Sequence, residues 1–523
     1  MTIQQGVNNL ADIVVLLEVL GYNNELVTKN GFQSLPDLAK YVYDFIDLYY
    51  NAEQDKKSME LLATPIPTPT QRLAEGLGMI FPWLGSLVLL FLTGVSLWMA
   101  LSLPKELTTA FVGGVFLGLL ITEGSMQIFQ KLFTFYYNQT NIGEVKRILK
   151  RSYLTVSVLL LVASLGLLVA AKLADLPYQL VGVAIISMVT VSLHRASYMI
   201  IYSLKKIKHL IVGYASAFVS IGTVYFLAEG AIPDNTVRYF ASLGVAFSVL
   251  TVFAVFHHRK ILEKKSVSII AGNVPHFYNP VSTSDKTLRS RFHVQIWEML
   301  PHSVFGTLYF STLFTDRLLS WIYHPDIVSG TSDRLFEFNS MYHTGADLAL
   351  LVILSASMLQ YVLMSPIYIR LNNMIIDLKI SESDKIDRFL QKQYAQLVIL
   401  SLVLSATTAT VLFVFAPQIA VHLGGTEKTV MVLRLASIGN VFISMHAANL
   451  MFIAFLNKIK PLVYMSIVAV SIIAVGGAIL GKSGYENITI AYLASAVFSF
   501  TVSTVCVRKI IRNASSTYFA KYV

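Results

Sequence analysis

Hydrophobic runs of about 20 residues recur along this chain from position 77 to position 507, broken by short polar stretches. Each run is long enough to cross a roughly 30 Å hydrocarbon layer as a helix. The pattern predicts twelve spans: 77–101, 108–135, 153–174, 178–203, 208–228, 236–256, 296–322, 343–369, 394–416, 430–455, 461–480 and 488–507. A membrane β-barrel would show alternating segments of about ten residues instead. The expected fold is therefore an all-α polytopic membrane protein.

The first 62 residues follow a different pattern. ADIVVLLEVLGY (11–22) reads as a helix stopped by Gly21. SLPDLAKYVYDFIDLYY (34–50) opens with Ser34 and Asp37 in capping-box spacing. Its Leu38, Tyr41, Val42, Phe45 and Tyr49 fall on one helical face. Residues 1–62 thus read as a small cytosolic helical module, and the Pro- and Thr-rich stretch 63–76 as a stiff linker.

The chain repeats itself. LKKIKHLIVGY (204–214) lies between spans four and five, and LNKIKPLVYMS (456–466) lies between spans ten and eleven. MIFPWLGSLVLLF (79–91) of span one matches EMLPHSVFGTLYF (298–310) of span seven, with Pro82 in register with Pro301. Six spans per half is an even number, so the halves keep one orientation. The expectation is two six-helix bundles, 77–257 and 296–512, related by a pseudo-twofold axis along the membrane normal. A basic connection, 258–295, joins them, and a tail, 513–523, follows.

Charge fixes the expected orientation. The module carries nine acidic residues and four Lys, a net charge of −5, while the whole chain is +10. Loops on one side of the predicted spans, with the tail, hold 25 Lys and Arg; those on the other side hold six. The positive-inside rule places both termini in the cytosol. Membrane topology and anionic lipid account for the basic excess, so no nucleic-acid partner is expected. Overall composition, 55% hydrophobic and 13% charged, agrees with a membrane protein. The single cysteine, Cys506, excludes an intramolecular disulfide. The first residues, MTIQQGVNNLAD, lack the basic region and cleavage site of a signal peptide.

Polar groups inside spans are costly, and usually face a cavity or a partner. Glu123 lies half way along span two, and Gln127 and Gln130 share its stripe. Arg195 in span four falls at a comparable depth, which predicts a Glu123–Arg195 ion pair. In span seven, Glu298, His302, Tyr309, Thr312 and Asp316 lie within about 40° of one line at 100° per residue. This stripe suits a hydrated interior, although Glu298 and Asp316 are about 27 Å apart and equally suit the two interfaces. Asp316, Arg317, Asp347 and Arg434 form a candidate outer tier, and Ser437, Asn440, Ser444, His446 and Asn449 of span ten offer either sugar contacts or bonds between helices. Pro82 and Pro301 are candidate hinges.

Other chemistries are weakly represented. GGAILGKS (476–483) fits the phosphate-loop pattern, but it ends a predicted span with no preceding strand. HHRK (257–260) reads as a basic interfacial end, because adjacent His side chains cannot share one helical face. The sequence predicts no metal site and no cofactor, and no catalytic grouping that would suggest an enzyme.

Several stretches resemble the multidrug/oligosaccharidyl-lipid/polysaccharide (MOP) flippase superfamily, and within it the Pel exopolysaccharide transporter family (PelG-like). They are QKLFTFYYNQTNIGEVKRILKRSYL (130–154), FTDRLLSWIYHPDIVSG (314–330), SPIYIRLNNMI (365–375), RFLQKQYAQL (388–397) and VLRLASIGNVF (432–442). The resemblance covers about 77–512. It departs where Phe135 stands in place of an expected acid, with Lys131 in the basic place before it, and the module 1–62 is additional. What it implies is an inner-membrane flippase that exports a polysaccharide or lipid-linked glycan. A cytosolic glycosyltransferase would be its partner; the acidic module 1–62 is then either its dock or a regulatory or stabilising extension. Glu123 is the candidate for ion coupling, and Arg195, Arg317 and Arg434 for glycan contacts. Two alternatives remain open. A cation-coupled small-molecule (multidrug) exporter predicts an aromatic, acidic cavity. A non-transporting anchor for a polysaccharide synthase predicts that cavity substitutions are silent.

Overall fold

The computed structural model describes residues 10–19, 22, 24–29, 31–50, 67–97, 103–138, 142–204, 206–263, 292–330, 336–377, 383–456 and 458–512. The tail 513–523, most of the connection 258–295 and the first part of the linker, 63–66, lie outside them. Among the described residues three short helices come first: α1 (Leu10–Val19), α2 (Asn24–Lys29) and α3 (Leu35–Tyr50). Twelve long ones follow in two sets of six. The first set is α4 (Pro69–Thr93), α5 (Lys105–Asn138), α6 (Ile142–Leu173), α7 (Tyr178–Ser203), α8 (Ile207–Leu227) and α9 (Asn235–Glu263). The second is α10 (Phe292–Ile322), α11 (Ser340–Asp377), α12 (Ser383–His422), α13 (Glu427–Phe455), α14 (Lys460–Leu480) and α15 (Ile488–Ile511). No strand occurs among the described residues.

Eleven of the twelve are long and apolar enough to cross a membrane. The exception is α10, whose 31 residues suffice in length; its polar groups, from Glu298 to Arg317, lower its hydropathy. Burial separates central helices from peripheral ones. In the most apolar stretch of α5 and of α13, 67% of residues are buried, against 17% in α6. Leu154, Leu161, Leu165 and Val169 of α6 are exposed, which makes its outer side a lipid-facing surface.

The internal repeat is visible bond by bond. After α7, the Leu204 amide donates to Ile200 and the Lys206 amide to Ile201. After α13, the Leu456 amide donates to Phe452 and the Lys458 amide to Ile453. Each pair is offset by the 252 positions that separate LKKIK from LNKIK. Ile207 and Leu210 are buried in the first copy, and Ile459 and Leu462 in the second. The same short sequence therefore makes the same tight turn between its fourth and fifth helices in both halves.

The long helices meet through small residues, as expected where lipid gives helices no hydrophobic drive to associate. A Cβ on Gly114 of α5 would lie 2.0 Å from Ser187 Oγ and 2.2 Å from the Ala184 carbonyl of α7. Gly114→Val is accordingly expected to destabilise the chain by about 1–3 kcal/mol. Thermal unfolding in detergent measures this, with Gly182→Val, which meets nothing within 4 Å, as the comparison. A loss no larger than that of the Gly182 variant would show that α5 and α7 do not pack this closely. Between the halves, α5 crosses α10 at Gly124, whose added Cβ would lie 2.5 Å from Ser303 Oγ, and at Gly306, whose added Cβ would lie 2.7 Å from Gln127 Cγ.

Some boundaries differ from the sequence expectation. α4 begins at Pro69, inside the predicted linker and eight residues before the predicted span. Proline is well suited to a first helical turn, where its missing N–H costs nothing. α4 ends at Thr93, followed by Gly94 at φ +72°.

Thr70–Val362 and Gln396–Ile510 make one compact unit, and the module α1–α3 belongs to another. The module has its own core of Ile13, Leu17, Val27, Leu35 and Ala39. Ser34 Oγ accepts from the Asp37 amide, as the capping spacing predicts, whereas Asp37 reaches back to the Gln33 amide and not to Ser34. Of the predicted apolar face of α3, Leu38 and Val42 pack against this core, and the side chains of Phe45 and Tyr49 lie outside the described ones. Tyr41 is exposed, with its ring 5.5 Å from that of Phe32, and Leu35 and Ala39 take the core.

Candidate functional site

Glu123 and Arg195 are ion-paired across α5 and α7. Glu123 is 3% exposed and Arg195 23% exposed at the side chain, so the guanidinium opens outward and the carboxylate does not. Gln127, one turn on, donates to Glu123 Oε1 at 2.7 Å. The Arg195 guanidinium lies 5.2 Å from the Phe310 ring of α10 and 3.4 Å from the Leu119 carbonyl. The crossing at Gly306 makes this possible, because a side chain there would meet Gln127 and Glu123.

Arg195 opens into a cavity of about 240 Å³. α4 contributes Pro82 and Trp83, α5 contributes Leu119 and Gln130, and α8 contributes Tyr214. α7 adds His194, Tyr198 and Tyr202 beside Arg195, and α10 adds Phe310. Arg195 is the one Lys, Arg, Asp or Glu among the described lining residues; Glu123 stands behind it. His194 bonds to the Tyr214 hydroxyl at 2.7 Å, and the buried Tyr198 hydroxyl has no hydrogen-bond partner. The aromatic part of this wall is absent from the candidates that the sequence suggests. The signal was present, since Arg195, Tyr198 and Tyr202 recur at i, i+3 and i+7 on one helical face.

The predicted stripe of α10 does not converge on this cavity. Glu298 is exposed. His302 is half-buried, and neither of its ring nitrogens has a hydrogen-bond partner. Tyr309 is half-buried beside Phe305 and Phe310, and the Thr312 hydroxyl donates back to Leu308 at 3.0 Å. The tight crossing at Gly306 instead turns Phe310 and Phe314 toward α5, where Phe314 stacks on Phe116 at 4.4 Å.

Asp316, Arg317 and Asp347 do assemble. Arg317 Nε donates to Asp347 Oδ1 at 2.8 Å, and its Nη1 to Asp316 Oδ1 at 3.2 Å. Tyr342 donates to Asp316 Oδ2 at 2.8 Å. Trp321 donates to His343 Nε2 at 2.8 Å, which leaves the proton on Nδ1, 3.4 Å from Asp347 Oδ2. Asp347 and His343 border a second cavity of about 60 Å³.

Arg434 stands apart from this tier. It donates to the Phe413 carbonyl of α12 at 3.1 Å and covers the Phe413 ring. Asn440 bridges helices: its amide donates to Ala349 at 2.7 Å, and its carbonyl accepts from Tyr492. Asn449 likewise donates to Ser503 and Thr504. Of the two readings left open for this face of α13, bonds between helices describe Asn440 and Asn449. Pro82 and Pro301 both sit inside unbroken helices, and Pro82 borders the larger cavity.

The two halves are tied at one end by Lys105, which donates to Asp326 at 2.8 Å and lies 3.9 Å from Glu337. His324, Asp326 and Glu337 bring potential metal-ligating atoms within 4.8 Å of one another, and the Lys105 ammonium already supplies a cation there. The Lys105 hydrogen bond holds the Asp326 carboxyl below its ordinary range. Burial lowers His324, against the opposing pull of Glu337 and Asp326.

No family model matches this chain, and no curated protein matches it. Solved structures do. An outward-facing multidrug resistance MATE family transporter of the MOP superfamily aligns at TM-score 0.56 and 12% identity, over 86% of this chain and 97% of its own. A MATE structure in complex with MaD5 aligns at TM-score 0.58 and 12% identity, over the same shares. A MOP superfamily transporter from Pyrococcus furiosus, described as having a binding pocket of reversed polarity that suggests a different function, aligns at TM-score 0.56 and 13% identity, over 86% of this chain and 99% of its own. The chain has the fold of these transporters.

Proposed function

We propose that this chain is an inner-membrane transporter that exports a polysaccharide or lipid-linked glycan by alternating access, with both termini in the cytosol. The carrying observation is the polarity of the larger cavity. Its one charged lining side chain is Arg195, among Trp83, Tyr198, Tyr202, Tyr214 and Phe310. Aromatic faces and hydroxyls suit sugar rings, and a guanidinium offers a fork of donors to ligand oxygens. The fold supports transport, and the internal repeat supports two halves that rock about a shared axis. The acidic module 1–62 is then the docking element for a cytosolic glycosyltransferase that supplies the polymer.

Cation-coupled multidrug export is the second reading, favoured by the multidrug resistance MATE structure among the neighbours. It calls for an acidic lining, whereas the carboxylate nearest this cavity is sequestered behind a guanidinium. The Pyrococcus furiosus neighbour is likewise described by a binding pocket whose reverse polarity suggests a different function.

The fluorescence of Trp83 in the cavity wall tests this. Titration of protein in lipid nanodiscs with oligosaccharides is expected to change the emission, and Trp83→Phe is expected to remove that change. Arg195→Gln should weaken binding about 10- to 100-fold, the loss of a charged hydrogen bond. Preferential binding and pumping of organic cations, with oligosaccharides inert, would instead establish the second reading.

A further inference from the structure

Arg195 already holds a carboxylate, that of Glu123, at the edge of a cavity of about 240 Å³. We propose that Glu123 occupies the seat of a ligand carboxylate, so that Arg195 binds a sugar acid only when Glu123 takes up a proton. This rests on the larger cavity being the ligand site, and it names both the substrate class and the coupling.

Charge is costly in a medium of low dielectric, so the site must stay neutral as a whole. The Glu123–Arg195 pair is neutral as a whole. A ligand carboxylate added to it would place an uncompensated negative charge between helices, and a proton added alone would leave the guanidinium unpaired. Either state is costly inside a membrane protein. The two additions together conserve neutrality: the ligand carboxylate pairs with Arg195, and the proton neutralises Glu123. The only covalent change is a proton transfer from the aqueous medium, in which an O–H bond of hydronium or of protonated buffer breaks as the O–H on Glu123 forms.

The geometry suits the exchange. Arg195 uses two of the five guanidinium donors on Glu123 and Leu119, and its side chain is 23% exposed, toward the cavity. Glu123 has no such opening, so the ligand approaches Arg195 and not Glu123. Gln127 donates to the ionised carboxylate, and its amide oxygen equally accepts from the protonated acid, so Glu123 keeps a partner in both states.

Other titratable groups around the pair are Lys131 on α5, His194, Tyr198 and Tyr202 on α7, Tyr214 on α8 and His302 on α10. Only the two histidines titrate near neutrality as free side chains. They are the competing sources of any pH dependence.

Calorimetric titration with a galacturonate oligosaccharide, on full-length protein in nanodiscs, tests the proposal. Its neutral counterpart, a galactose oligosaccharide, is the comparison. Uptake of close to one proton per acid bound is expected, measured in buffers of different ionisation enthalpy. Affinity for the acid should fall as pH rises, by about tenfold per pH unit wherever binding takes up one proton. Glu123→Gln, checked for folding by its melting temperature, should bind the acid more tightly and without proton uptake. His194→Gln and His302→Gln should retain proton uptake. Acid binding that is independent of pH, or a proton lost with a histidine and kept in Glu123→Gln, would overturn the linkage. If the neutral oligosaccharide binds and the acid does not, the linkage fails while the glycan reading stands. If neither binds, both fail.

Discussion

Arg317→Leu is expected to destabilise the protein by about 3–5 kcal/mol, the cost of leaving a buried charge without its partner. Asp316 is 1% exposed, and Asp347 is shielded except where it meets the small cavity. Arg317 is the cation that both carboxylates face, and it also donates to the Leu313 and Ala346 carbonyls. Tyr342 supplies Asp316 with a hydrogen bond but no charge, and His343 faces Asp347 as a neutral ring. Denaturation in detergent, scored by tryptophan emission, measures the loss. Arg317→Leu combined with Asp316→Asn and Asp347→Asn should recover much of it, since removing every charge of a buried cluster is far less costly than removing one. A single Arg317→Leu variant as stable as the parent would mean that these carboxylates are neutral in the folded protein, and the cluster would not be ionic.

Much of this architecture is legible in the sequence because hydropathy and helical rise are local quantities. Counting residues places Glu123 and Arg195 at one depth, and they pair. Matching LKKIK with LNKIK finds the repeat, whose turns use equivalent hydrogen bonds. What depth counting does not supply is rotation about a helix axis. The polar stripe of α10 is genuine as a stripe, but the face turned to α5 is chosen by the crossing at Gly124 and Gly306, and that crossing brings Phe310 and Phe314 inward. Polar residues of α13 were ambiguous for a related reason. Asn440 and Asn449 resemble ligand contacts until their partners, 52 to 91 positions away, are known. Arg434 shares a depth with the outer tier but lies on another side of its helix, against α12.

Joining Lys105 to Asp326 is expected to stop transport if the two halves rock. Lys105 opens α5 in the first half, and Asp326 lies beyond α10 in the second. One turn further along α5, Thr109 Oγ1 accepts from the Phe338 amide at 2.8 Å, and the Phe116–Phe314 stack lies beneath. At the far end of the same crossing Gln295 of α10 donates to the Tyr136 hydroxyl of α5. The halves therefore touch along the full length of α5, and opening toward the Lys105 end must break the first set of contacts. In a Cys506→Ser background, Lys105→Cys with Asp326→Cys and a short, cleavable bis-thiol crosslinker should lower glycan transport at least about tenfold, and reduction should restore it. The ion pair itself is half-exposed and contributes little, on the order of 1 kcal/mol or less, so the uncrosslinked variant should remain active. The contribution of Asp326 has a defined pH range. Its lowered folded-state pKa makes the contribution present above the ordinary carboxylate pKa of about 4, and lost as pH falls through the lowered value. Thiol labelling of a Thr109→Cys reporter, with Lys105 and Asp326 intact and the rate divided at each pH by that of the unfolded chain to remove the pH dependence of the thiolate, should accordingly be flat between about pH 5 and 9 and rise only in stronger acid. Full transport by the crosslinked protein would mean that α5 and the α10–α11 connection never part, and a route through the membrane would have to open elsewhere.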